Sequence, residues 1–88
     1  MDQKSPVVIT TARNRLVAAY KSRRREFDAL LAAADYDHAV AWTMFAARVC
    51  PELPHSYVLD AVDDARLAIK YDARARQRIA MKFERVGA

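Results

Sequence analysis

Along most of the chain the apolar residues return every three or four positions, which is the period of a helix and not the two-residue alternation of a strand. Leu16, Tyr20, Phe27, Leu30, Leu31 and Ala34 form one such stripe, predicting a first helix capped by Thr10 or Thr11 and running to about Ala34. Ahead of it, the β-branched run Val7-Val8-Ile9-Thr10 is the one candidate for extended structure, so residues 1–9 are read as a flexible or extended arm. Asp35-Tyr36-Asp37 supplies a cap for a second helix, which runs to about Cys50 and has to end before Pro51 because the proline ring disfavours helical geometry in the residue before it. Pro51-Glu52-Leu53-Pro54 is a turn. From His55 or Ser56 a third helix is expected to reach about Val86, a length of ~45 Å.

The second helix is apolar on nearly every side, from Ala39 to Val49, and such a helix lies either at the centre of a fold or at an interface. With two other helices to cover it, some of Trp42, Met44, Phe45 and Val49 are expected at the surface of a monomer, which predicts a homodimer. The third helix is amphipathic. Val58, Ala61, Val62, Ala65, Ala68, Ile69, Ile79, Phe83 and Val86 share its apolar face, whereas Lys70, Arg74, Arg78, Lys82 and Arg85 gather opposite. The reading is an all-α domain spanning residues 1–88, a three-helix bundle or helical hairpin with a long amphipathic C-terminal helix. A break near Tyr71-Asp72, with Asp72 capping a fourth helix, is the one alternative to a continuous third helix.

Two polar interruptions fall beside or within the apolar stripes. Arg23 and Arg24 flank the stripe of the first helix, and Asp72 and Arg76 lie within that of the third. If these helices run side by side, the four residues make a structural ion-pair network that fixes register, since buried charges persist when paired. A charged pocket for an anion is the competing reading.

Composition narrows the picture. With 53% hydrophobic and 30% charged residues, the chain has enough apolar surface to fold, and at 88 residues a single core leaves stability small. One cysteine, Cys50, rules out an intramolecular disulfide and favours a reducing, cytoplasmic setting. No segment has the pattern of a signal peptide or of a membrane span. The net charge of +4 conceals three blocks: residues 1–34 carry 7 basic and 3 acidic side chains, residues 35–65 carry 1 and 6, and residues 66–88 carry 7 and 2. Two basic ends thus flank an acidic middle, which suits acidic partners or self-association between unlike blocks. Arginine supplies 11 of the 15 basic residues, a bias that fits phosphate binding and equally fits a GC-rich bacterial or phage coding sequence.

The chain lacks a constellation that names a reaction. Cys50 with His38 or His55 is the only conceivable thiol dyad, but a helix C-terminus disfavours thiolate, so Cys50 is read as a small packed residue. The histidines lack zinc-ligand spacing, and Asp60, Asp63 and Asp64 are read as acids of the first turns, favoured by the helix dipole, before they are magnesium ligands. A single glycine excludes glycine-rich phosphate loops. We therefore expect no metal or cofactor and no enzymatic activity, but a small interaction or regulatory protein that binds a protein partner through helix faces. Trp42, Met44 and Phe45 are the candidate apolar anchors, with Arg74, Arg78 and Lys82 as rim charges. The alternative is sequence-nonspecific nucleic-acid binding along the basic run Lys21, Arg23, Arg24, Arg25 and the basic stripe of the third helix. Reading of a DNA groove by that helix is disfavoured, because its first turns carry Asp60, Asp63 and Asp64.

Overall fold

Ser5 and Pro6 begin the first helix, α1, which spans Pro6–Ser22. Proline suits the opening helical position because the N–H it lacks would have no intrahelical acceptor there. Ser5 accepts the Ile9 N–H at 3.3 Å and donates its own N–H to the Tyr57 hydroxyl at 3.1 Å, so the first turn is tied to the last helix. The expected arm is corrected over residues 6–9, which are helical despite their β-branched side chains. The computed structural model describes residues 5–86, with side chains described to Ala75.

After α1 come α2, Arg24–Ala33, α3, His38–Val49, and α4, His55–Val86. The stripe that predicts one helix from 10 to 34 is thus two helices, broken at Arg23, whose φ of −122° and ψ of 39° leave the helical region. Neither proline nor glycine causes the break. The Ser22 hydroxyl donates to the Ala18 carbonyl at 3.0 Å, a back-bond that bends helices, and cations at 21, 24 and 25 would repel at three- and four-residue spacing in an unbroken helix. Arg23 instead turns to Glu26, donating to both carboxylate oxygens at 2.7 and 2.9 Å.

The turn from α2 to α3 carries two left-handed residues, Asp35 at φ 57° and Tyr36 at φ 64°. Tyr36 N–H donates to Leu31 O at 2.8 Å and Asp35 N–H to Ala32 O at 3.1 Å, the paired bonds of a Schellman ending in which glycine is the usual left-handed residue. Within the expected Asp35-Tyr36-Asp37 run it is Asp37 that caps α3, its carboxylate accepting the Val40 N–H at 3.1 Å, so no acidic side chain falls in the first turn itself. α3 stops at Val49 before the Pro51–Pro54 turn, and α4 runs through Tyr71-Asp72 without a break.

Chain direction alternates between neighbouring arms of the bundle, with α1 and α2 together forming the first. This makes α1 and α4 parallel: Ser5 meets Tyr57 at one end and Lys21 meets Asp72 at the other. α1 and α4 pack on one another, and their buried positions include small residues, Ala12 and Ala19 on α1 and Ala61 and Ala65 on α4, which suits a close approach. Beyond the break, α2 leaves α4 and packs on α3. There Phe27 is the hub of an aromatic cluster, with ring centroids 5.1 Å from Tyr20, 4.9 Å from Trp42 and 5.5 Å from Phe45. Tyr20, the last aromatic of α1, stacks on Trp42 at 5.1 Å, so the bend is held by rings from three helices. Among the described residues no charged side chain is buried, and no helix is long and apolar enough to cross a membrane.

Candidate functional site

Trp42 and Phe45 do not stand at the surface. They are 4% and 0% exposed, enclosed by the aromatic cluster, which corrects their assignment as partner anchors. The break at Arg23 is the physical reason: it swings α2 across α3 and covers the apolar side that a straight first helix would leave bare. Of the three anchors only Met44 is partly exposed, beside Val40 on the outer side of α3. The argument for a homodimer from a half-covered second helix therefore lapses.

The same break redraws the ion-pair network. α1 and α4 do run side by side, but Asp72 faces Lys21, with Nζ 3.6 Å from Oδ2, and not Arg23 or Arg24. Arg23 stands at the break and Arg24 opens α2, and both pair with carboxylates of α2, although Arg24 still borders the groove beside Asp72. Arg23 pairs with Glu26, which also receives Arg48 of α3 at 3.4 Å; Arg24 pairs with Asp28 at 3.0 Å and lies over the Tyr20 ring at 4.5 Å. These hydrogen bonds, that of Arg23 foremost, hold the Glu26 carboxyl below the usual carboxylate range. Arg76 lies outside the residues whose side chains are described, as do Arg78 and Lys82. A shallow groove of about 460 Å³ opens where Tyr20, Lys21, Arg24, Ile69, Asp72 and Ala73 meet.

One residue absent from the expected sites ties three segments together. Arg15 of α1 donates to the Val49 carbonyl at 2.8 Å, answering an unpaired acceptor at the end of α3, and pairs with Glu52 in the α3–α4 turn. Hydrogen bonding from Arg15 is the main reason that the Glu52 carboxyl titrates low. Nothing in helical periodicity signals this contact, since Arg15 is simply one more polar residue beside the stripe. Cys50 packs into the core at the C-terminus of α3, and burial pushes its thiol up, away from a reactive thiolate. Among the described residues no three His, Cys, Asp or Glu side chains are grouped to hold a metal ion.

A further surface of distinct character is the outward side of α4. Leu59, Leu67 and Tyr71 stand 58%, 49% and 62% exposed there, spaced by eight and four residues so that they share a side. Asp63, Arg66, Lys70 and Arg74 interleave with them and are all exposed. Asp63, Arg66, Leu67 and Lys70 border a concavity of about 510 Å³ on this side. Arg74, expected as a rim charge, lies at the edge of the same surface; the apolar residues near it are Leu67 and Tyr71 of α4, which are not among the anchors expected from the sequence. Comparison with protein-family models, curated proteins and solved structures returns no match to this chain.

Proposed function

We propose that this protein works by binding another protein through the outward side of α4, without catalysing a reaction. The observation that carries the reading is a row of exposed large apolar side chains, Leu59, Leu67 and Tyr71, set among charges of both signs on one long helix. Apolar anchors within a polar rim are the anatomy of a protein interface, and a helix presenting them suits a groove or a second helix. The test is affinity capture with the immobilised protein, comparing wild type with Leu67→Glu/Tyr71→Glu. Capture that survives moderate salt and is lost in the double variant supports the reading; capture indifferent to the substitution sinks it.

Nucleic-acid binding is the second reading. It is favoured by the parallel course of α1 and α4, which brings Lys21, Arg24 and Arg25 to the same end of the bundle as Lys70 and Arg74. Against it, Lys21, Arg23 and Arg24 are each engaged with a carboxylate. Affinity for a mixed-sequence oligonucleotide that falls steeply with salt, and that the uncharged substitution Leu67→Ala leaves intact, would favour this second reading over the first.

A further inference from the structure

The concavity on α4 has a particular construction. The described residues on its border, Asp63, Arg66, Leu67 and Lys70, stand at positions i, i+3, i+4 and i+7, the four-residue diamond that accepts one side chain from a facing helix in knobs-into-holes packing. The centre of the diamond lies midway between Asp63 and Lys70. A facing helix that fills it is one whose own apolar side chain sits at that height and whose charges match there.

We infer that the partner is a second copy of this chain, its α4 lying antiparallel on the first about a two-fold axis near Leu67. This rests on the interaction reading of the same face given above. In that arrangement residues whose numbers sum to about 133 stand level, so Asp63 of each copy faces Lys70 of the other, twice over. Leu67, 49% exposed in one copy, enters the Asp63-Arg66-Leu67-Lys70 hole of its partner, and the partner's leucine returns the contact. The Asp63 and Lys70 charges favour the antiparallel direction: a parallel pairing in register would set Asp63 against Asp63 and Lys70 against Lys70, whereas in the antiparallel pair only Arg66, beside the axis, stands near its own copy. Among the described residues neither Asp63 nor Lys70 is engaged in an ion pair, so both charges can meet a partner without breaking an existing bond. Tyr71 and Leu59 flank the central leucines and extend the apolar contact along the helix.

The experiment is light scattering after size exclusion, over protein concentrations up to roughly 1 mM, on the wild-type chain and on Asp63→Lys, Lys70→Asp and the double exchange. The expected wild-type mass rises with concentration towards twice the 10.0 kDa of one chain. Each single reversal sets like charges opposite one another and weakens association at least about tenfold, while Asp63→Lys/Lys70→Asp restores it by exchanging the two signs. Both side chains are exposed, and circular dichroism checks that each variant keeps its helix. A monomer at every concentration overturns the proposal, as does a dimer that neither reversal weakens. A monomer whose α4 face still captures a different protein, with loss in Leu67→Glu/Tyr71→Glu, overturns self-pairing alone and leaves the interaction reading standing; absence of both removes the reading itself.

Discussion

Replacing Phe27 by alanine should come close to unfolding the protein. Phe27 is 1% exposed and its ring meets those of Tyr20, Trp42 and Phe45 at centroid distances of 4.9 to 5.5 Å. Truncating a buried phenylalanine costs ~3–5 kcal/mol through lost transfer energy and the cavity left behind. At ~0.05–0.15 kcal/mol per residue, a chain of this length has only ~4–13 kcal/mol in total. The site cannot collapse easily, because the rings of Tyr20 from α1 and of Trp42 and Phe45 from α3 wall the cavity. Phe27→Leu retains most of the volume and forfeits the ring geometry, so a smaller loss of about 1–2 kcal/mol is expected. Urea titration gives both numbers, followed by far-ultraviolet circular dichroism and by the emission of Trp42, the only tryptophan, which reports from within the cluster. A Phe27→Ala protein within about 1 kcal/mol of wild type would refute the reasoning, as would Trp42 emission already characteristic of water in the native state.

Three further outcomes follow from local features. Asp35→Gly should stabilise the fold by about 1 kcal/mol, raising the melting temperature by several degrees, because the left-handed position at φ 57° penalises any side chain with a Cβ. Glu26 and Glu52 titrate below their ordinary value near 4.5 in the folded state, chiefly through hydrogen bonds from Arg23 and Arg15; the stability that they contribute is present above that value and is lost as pH falls through their folded pKa values, so Glu26→Gln/Glu52→Gln should flatten the fall of melting temperature below about pH 4.5. Cys50, buried and with its thiol pushed up, should react with a disulfide reagent slowly in buffer and at once in urea; equal rates would place it at the surface.

How much of this was legible in the sequence depended on the range of the interaction that decides each feature. The cap of α3 at Asp37 and its end before Pro51 follow from the chemistry of one or two neighbouring residues, and both stand where the sequence puts them. The unbroken course of α4 likewise follows from the absence of glycine and proline. By contrast, the break at Arg23 arises from a serine back-bond, a run of cations and the attraction of Tyr20 and Phe27 for Trp42, none of which disturbs the apolar period. Every misplaced site residue descends from that one break. Trp42 and Phe45 look uncovered only if the first helix is straight, and Arg24 meets Asp72 only if it keeps the helical phase of α1.

The direction of α1 relative to α4 also bears on the competition between the two functional readings. Parallel packing places the negative end of the α1 dipole beside the middle of α4, where Lys21 and the following arginines offset it. Arg15 serves the end of α3 in the same way, and Arg48 shares Glu26 with Arg23. A substantial part of the basic character read from composition is therefore committed to helix ends and to carboxylates within the fold. Arg25, Arg66, Lys70 and Arg74 remain exposed without such an engagement among the described residues. Lys70 is in that group and is also the residue that a facing Asp63 would claim. A polyanion and a second copy of the chain would thus compete for the same side of α4, so the functions that the sequence leaves as alternatives are, on this surface, mutually exclusive.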